Sequence, residues 1–238
     1  MLKTAIRKIL TFSKIDLTKN LKYDRLTQKI MSQVISSNSN CVDVGCHKGE
    51  MLDLMLKYSP NGKHLAFEPI PSFFKKLVEK YDGVAKIYPH ALSSEKGETT
   101  FQYVKNAPAY SGIKKRQYDV KNPEIEQIKV SLELLDDLVA EDFPVDFIKI
   151  DVEGAELGVL KGAKRTIKKN KPYVIFEFGL GASEFYGTKP EDIFNFLVVD
   201  CGLQIYNLSD FIKNKKALSL QEFDETYQNA SEYYFIAH

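Results

Sequence analysis

Tyr23, Leu26, Ile30 and Val34 stand three or four positions apart, the spacing that gathers apolar side chains on one face of a helix. The polar run SSNSN, residues 36–40, ends that pattern. The period then changes. CVDV, residues 41–44, is a short apolar run stopped by Gly45 and reads as a buried strand. Met51, Leu54, Met55 and Tyr58 return to helical spacing, and HLAF (64–67) predicts a second strand. Pro71 opens a helix carrying Phe74, Leu77 and Val78, and VAKIY (84–88) is a third strand. DFIKI (146–150) predicts a strand followed by a helix with Leu157, Leu160 and Ile167 facing inward. YVIFEF (173–178) is another strand, and residues 190–200 form a helix. GLQIY (202–206) and YYFIA (233–237) read as two last strands with no helix-length apolar pattern between them.

Strand and helix alternating in this way imply an α/β, doubly wound and mostly parallel sheet covered on both faces. Two final strands without a helical crossover predict that the last one pairs antiparallel. Residues 97–138 break the rhythm: TTFQYV and IKVSLEL are expected to pair as a β-hairpin insertion around a polar, partly basic loop. The organisation expected is an N-terminal helical segment, residues 1–36, packed on a single domain, residues 37–238.

Composition narrows the partners. With 44% hydrophobic and 27% charged residues and a net charge of +1, nothing global points to nucleic acid or an anionic membrane. No apolar run reaches the roughly 18–20 residues of a membrane helix. Residues 1–30 do carry eight Lys or Arg against two Asp, and Ile6, Ile9 and Leu10 share one side. That describes a surface-binding helix or an ordinary one lying across the domain. Cys41, Cys46 and Cys201 cannot all pair, which fits a reducing compartment and an expected cytoplasmic location. The oligomeric state is not written in the sequence.

The stretch CVDVGCHKGE places two cysteines, a histidine and two glycines together. Structural zinc needs four ligands, and no second cluster at ligand spacing exists to complete the set, so no metal is expected here. The phosphate-loop pattern GxxxxGK[ST] and the dinucleotide fingerprint GxGxxG are both absent. A strand, a glycine turn and a helix start remain, the crossover at which wound sheets bind ligands. Gly45 is expected to let the backbone approach a ligand, and Gly49 to ease the entry into the helix. HLAFEP then puts Glu68 at the end of the second strand, 25 residues beyond Asp43. A carboxylate there suits the two ribose hydroxyls of a nucleoside, or alternatively caps the following helix. Asp43, Gly45, Gly49 and Glu68 thus describe an adenosine-type site without pyrophosphate glycines, one that suits S-adenosylmethionine better than NAD.

The run DFIKIDVEGAELGVLKGA, residues 146–163, closely resembles the signature of the FkbM family of S-adenosylmethionine-dependent methyltransferases. CVDVGCHKGE is similar to that family's first motif, AFEP to its second-strand motif, and HALSSEKGE to the segment after its third strand. The family often has Ala where Cys46 stands. The resemblance implies a class I Rossmann-like methyltransferase fold with seven strands, S-adenosyl-L-methionine as cofactor, and O-methylation of a hydroxyl on a sugar, a glycan or a secondary metabolite. Cofactor-binding candidates are Asp43, Gly45, Cys46, Gly49, Glu68, Pro69 and Asp151, with Ala91, Leu92 and Ser93 flanking the adenine.

Transfer to a hydroxyl benefits from a base within hydrogen-bond reach. Asp151 falls at the tip of the fourth long strand, Glu153 two residues on, and Glu177 at the tip of the fifth. If the chain stays extended, Asp151 and Glu153 point to the same side. Asp151 is the expected base or acceptor-orienting group, with Glu153 or Glu177 as partner and crowding raising at least one pKa. A competing reading has the same oxygens hold a divalent cation. Glu156 reads as structural; His47, Lys48 and His90 are open between pocket and packing. The loop 105–126, with Lys114, Lys115, Arg116 and two tyrosines, is either a lid for a sugar bearing phosphate or carboxylate or a solvated charged loop. Two rival functions are an NAD-dependent or nucleotide-sugar oxidoreductase, which lacks its glycine and Tyr-x-x-x-Lys patterns here, and a non-catalytic cofactor-binding module.

Overall fold

The computed structural model describes residues 18–118 and 120–238. The basic stretch holding Ile6, Ile9 and Leu10 lies outside the described residues. The first helix, α1 (Lys19–Val34), starts where the Thr18 hydroxyl accepts the N–H of Leu21 at 3.3 Å. It buries Tyr23, Leu26, Ile30 and Met31, and each such apolar side chain contributes about 1.5–3 kcal/mol. The helical period from Tyr23 onward therefore does mark a core-facing stripe.

The central strand is β1 (Cys41–Val44), buried along its whole length. It lies parallel between β2 (His64–Phe67) and, from much later in the chain, β7 (Phe147–Ile150). Helices α2 (Glu50–Tyr58) and α3 (Pro71–Lys80) make the first two crossovers. With β3 (Ala85–Tyr88), β8 (Tyr173–Glu177), β9 (Ile205–Asn207) and β10 (Tyr234–Ala237), the sheet has seven strands in the order β3-β2-β1-β7-β8-β10-β9. The last strand inserts between β8 and β9 and runs antiparallel to both, the expected direction, although the expected lack of helix before it does not hold. Alternation along the strands splits the core in two. Val42, Val44, Ile148 and Ile150 face one apolar layer, and Cys41, Phe147, Ile175 and Ile236 face the other, which α1 and α2 cover.

Strands β5 (Gly97–Val104) and β6 (Ile125–Glu133) form the expected antiparallel hairpin. A third strand, β4 (His90–Leu92), joins β6 in parallel and turns the insertion into a small sheet.

Several expected details are corrected. Phe73 and Leu77 face inward from α3, whereas Phe74 is half-buried and Val78 is 40% exposed. The small sheet explains the rotation, because its core of Phe101, Val130 and Leu132 takes up Phe73. The helix after β7 is two short helices, α4 (Glu156–Gly162) and α5 (Lys164–Asn170); Leu160 and Ile167 are fully buried, Leu157 only partly. The helix expected at 190–200 is α6 (Pro190–Phe194) running on into a π-helical turn, Asn195–Asp200. Between the last two strands lie α7 (Leu208–Ile212) and α8 (Leu220–Gln228). A capping box of Ser219 and Glu222 starts α8, and Phe223 and Tyr227 alone anchor it, too few apolar residues to register as a helical stripe.

Candidate active site

Beyond β1 the chain turns through left-handed conformations at Gly45 (φ 83°), His47 (φ 51°) and Gly49 (φ 81°). The N–H groups of Gly45 and Cys46 both donate to the carbonyl of Phe67, at 3.1 and 3.0 Å, tying the turn to the end of β2. Gly49 serves a different contact: the Tyr81 hydroxyl donates to its carbonyl at 2.7 Å, and a Cβ there would meet that ring. A cavity of about 380 Å³ opens over the carboxyl ends of the strands. Asp43, Gly45, Cys46, Glu68 and Pro69 line it, and so do Ala91 and Leu92 from β4. Asp151, Glu153 and Glu177 face the same space. Gly49 and Ser93 do not. Gly49 packs on Tyr81, and the Ser93 backbone is bound to Glu133 at the edge of the small sheet.

Glu68 is 3% exposed. Its Oε2 accepts the N–H of His47 and its Oε1 that of Ile70, each at 2.8 Å. Burial pushes the carboxyl up to about 7 against those two bonds. These two contacts hold the helix entry and leave each carboxylate oxygen a second lone pair free to accept from a hydroxyl. Asp43 is 1% exposed and its Oδ2 has no hydrogen-bond partner. Burial raises it to about 6, with Lys149 pulling the other way. An unpartnered buried acceptor beside Glu68 fits a ligand that carries donors, such as the nucleoside and ammonium of S-adenosylmethionine.

The cysteines act as small apolar groups. Cys41, Cys46 and Cys201 are all buried free thiols, and burial holds each in its neutral form. His47, Lys48 and His90 line the cavity. The His47 ring rests edge-on against Phe73 with centroids 4.7 Å apart, and burial lowers its pKa. His90 is fixed by Ser131, whose hydroxyl lies 2.6 Å from Nδ1.

The chain does not stay extended beyond β7. Glu153 has φ 59° and Gly154 φ 106°. Glu156, 1% exposed, accepts the N–H groups of Val152 at 3.1 Å and Gly154 at 3.2 Å and so pins the turn from beneath. The turn, rather than strand alternation, brings Glu153 to Asp151 and Glu177: one oxygen of each lies within 4.8 Å of the others. Asp151 Oδ2 accepts from Lys149 Nζ at 2.8 Å and from the Tyr234 hydroxyl at 2.6 Å. Burial would raise the Asp151 carboxyl, but Lys149 and bonds from Glu177 and Tyr234 outweigh it and hold it well below the usual range. Glu177 is held well above, by burial and by the charge of Asp151. The two form a dyad whose surroundings favour the charge on Asp151 and the proton on Glu177.

Glu153 is taken up by an ion pair with Arg116 from the insertion loop, whose guanidinium stands 5.2 Å over the Tyr110 ring. Lys114 is bound as well, its N–H to the Tyr186 hydroxyl at 2.9 Å and its ammonium to the Phe185 carbonyl at 3.2 Å. Lys115 is exposed. The loop is therefore strapped to the site by two of its cations. Carboxylates spaced like these suit a divalent cation, yet Lys149 already counters Asp151 and Arg116 counters Glu153, a pattern that fits a protein-held dyad.

Lys149 and Tyr234, and Asn20 and Thr27 on the pocket face of α1, are not marked as site residues by the sequence, and Tyr23, which reads there as a core residue, also lines the cavity. Lys149 did leave a signal, a charge inside the apolar strand FIKI. Tyr234 left none, because only the pairing of β10 with β8 sets it opposite Glu177.

This strand order, the glycine turn after β1 and the acids closing β2, β7 and β8 together define a class I methyltransferase fold. Residues 43–205 match the model of the methyltransferase FkbM domain, and the chain belongs to that family of S-adenosylmethionine-dependent methyltransferases. It is 31% identical over 160 residues to methyltransferase sdnD of Sordaria araneosa, a match covering 54% of this chain and 61% of that one. The crystal structure of methyltransferase FkbM from Methylobacillus flagellatus superposes with a TM-score of 0.53 at 17% identity, covering 86% of this chain and 44% of the other. The chain thus spans less than two thirds of either relative. Among the described residues no helix is long and apolar enough to cross a membrane.

Proposed function

We propose that the chain methylates a hydroxyl of a sugar, a glycan or a secondary metabolite, using S-adenosylmethionine. The observation that carries this reading is the Asp151–Glu177 dyad lining the same cavity as Glu68. Asp43, Glu68 and the backbone from Gly45 to His47 would hold the cofactor, with Pro69, Ala91 and Leu92 on its adenosine side. S-adenosylmethionine supplies an electrophilic sulfonium methyl, and alignment of that methyl with the incoming oxygen provides much of the rate. Ionised Asp151 accepts the hydrogen bond of the acceptor hydroxyl, raising the electron density on its oxygen and fixing its direction. Once the methyl had left sulfur for the oxygen, with the cofactor departing as a neutral thioether, the dyad would take up the hydroxyl proton and release it to water. Glu177 favours its neutral form, so the pair would bring one negative charge to the cavity that would hold the sulfonium.

The test is transfer of labelled methyl from S-adenosylmethionine to a panel of glycosides, with calorimetry of cofactor binding alongside. Asp151→Asn should bind cofactor within about 3-fold of wild type and lose at least about 100-fold in kcat. Absence of binding heat in the wild-type protein overturns the cofactor reading, and unchanged turnover in Asp151→Asn removes that residue from the mechanism.

A further inference from the structure

Lys149 is 5% exposed within a strand whose other three residues, Phe147, Ile148 and Ile150, are wholly buried. It lies opposite Asp43 of β1, on the sheet face that α1 covers. A buried ammonium costs several kcal/mol unless it is well paired, and Met would fill the same space without that cost. The pairing is specific. Lys149 Nζ and the Tyr234 hydroxyl both donate to Oδ2 of Asp151, at 2.8 and 2.6 Å. They arrive from different strands: Lys149 precedes Asp151 on β7, and Tyr234 stands on β10 opposite Glu177. The ammonium also lies 5.4 Å over the Tyr234 ring, which braces the two donors against each other.

We infer that Lys149 and Tyr234 are positioning residues, which occupy Oδ2 of Asp151 together and leave Oδ1 as the oxygen open to Glu177 and to the acceptor hydroxyl. The assignment rests on the methyl-transfer reading above and names the groups that act through Asp151. Two donors on one oxygen fix the carboxylate plane, and a misplacement of about 1 Å at a reacting group costs about 100-fold. The same donors favour the charged form of Asp151. The other titratable or charged groups around this dyad include Glu153 with its partner Arg116, Asp43, Glu156, His47, Tyr233 and, bearing on Tyr234 from α1, Asp24; none of them is changed in the variants below.

Lys149→Met and Tyr234→Phe are compared with wild type by cofactor calorimetry, by kcat against pH on the best glycoside of the panel, and by an NMR titration of the Asp151 carboxyl. Expected are cofactor dissociation constants within about 3-fold of wild type. Losses in kcat should be about 100-fold for Lys149→Met and about 10-fold for Tyr234→Phe. The acid limb of kcat should also move up by about one pH unit or more in Lys149→Met, with the NMR titration of Asp151 moving the same way. A general loss of fold lowers activity at every pH without moving that limb. Should Lys149→Met fail to fold, Tyr234→Phe decides by itself, and wild-type kcat with an unmoved limb overturns the assignment. Wild-type protein that binds cofactor but methylates no acceptor refutes the functional reading instead; the Asp151 titration then still decides whether Lys149 and Tyr234 control that carboxyl.

Discussion

Gly45 lies so close against Asp151 that a Cβ on the glycine would stand 1.9 Å from the Asp151 carbonyl oxygen. The turn after the first strand and the tip of β7 are thus seated on each other through bare backbone, and the Asp151 N–H completes the contact by donating to Val44 at 3.0 Å. Gly45→Ala combines a left-handed φ with that collision. It should destabilise the protein by at least about 2 kcal/mol and abolish cofactor binding, read by chemical denaturation and calorimetry. Near-wild-type stability would show that the two loops are not in contact.

Glu68→Ala removes the acceptor of the His47 and Ile70 N–H groups and the group assigned to the ribose diol. Hydrogen bonds to a charged group contribute about 1.5–3 kcal/mol each, so cofactor affinity should fall about 10-fold or more by calorimetry. Glu68→Gln keeps one acceptor oxygen and should fall between. Equal affinity in all three proteins would confine Glu68 to the helix entry.

Buried Glu156 gives stability an unusual pH dependence. Burial lifts its carboxyl from 4.5 to about 7 in the folded protein. A carboxyl raised in this way binds more protons folded than unfolded, so its contribution is complete below about pH 4.5 and is lost as pH rises through about 7. Glu156→Gln removes that loss. Measured by urea denaturation, the stability of wild type relative to Glu156→Gln should fall by about 1–3 kcal/mol between pH 4.5 and 7.5. A gap that stays constant with pH would show that Glu156 does not titrate in this window.

Arg116 reaches Glu153 from the insertion loop with both side chains largely buried. Breaking a buried pair leaves a charge uncompensated. Arg116→Gln should therefore raise the acceptor KM about 10-fold and leave the cofactor dissociation constant within about 3-fold. An anionic acceptor held by Arg116 would instead lose affinity far more than its neutral counterpart, so paired glycosides with and without a carboxylate separate the two roles.

Lys149 and Arg116 also bear on metal dependence. Because each already counters one carboxylate of the trio, turnover and cofactor binding should be unchanged after exhaustive chelation. Loss of turnover restored by added magnesium would reverse this prediction.

The elements built from local patterns were legible before the coordinates. CVDV, HLAF, FIKI and YVIFE each buries its whole apolar run or nearly so, and a buried parallel strand cannot carry its signal in any other way. Glu68, Asp151 and Glu177 were legible too, as acids placed where such strands end. Other features were not. Phe223 and Tyr227 are the only buried residues of α8, and His90–Leu92 is a strand only because β6 offers it an edge. The left-handed turn at Glu153 depends on Glu156, whose carboxylate binds N–H groups that sequence alone leaves unassigned.

The sequence by itself determined the alternation of strands and helices, the glycine turn and the acids that close the strands, because these depend on residues within a few positions of one another. Only the tertiary structure decided which acids meet and which of them the surroundings favour in the charged form. That outcome depends on Lys149, Tyr234 and Arg116, which stand on three separate segments, and on the low-polarity interior in which their charges and hydrogen bonds act over a few ångströms.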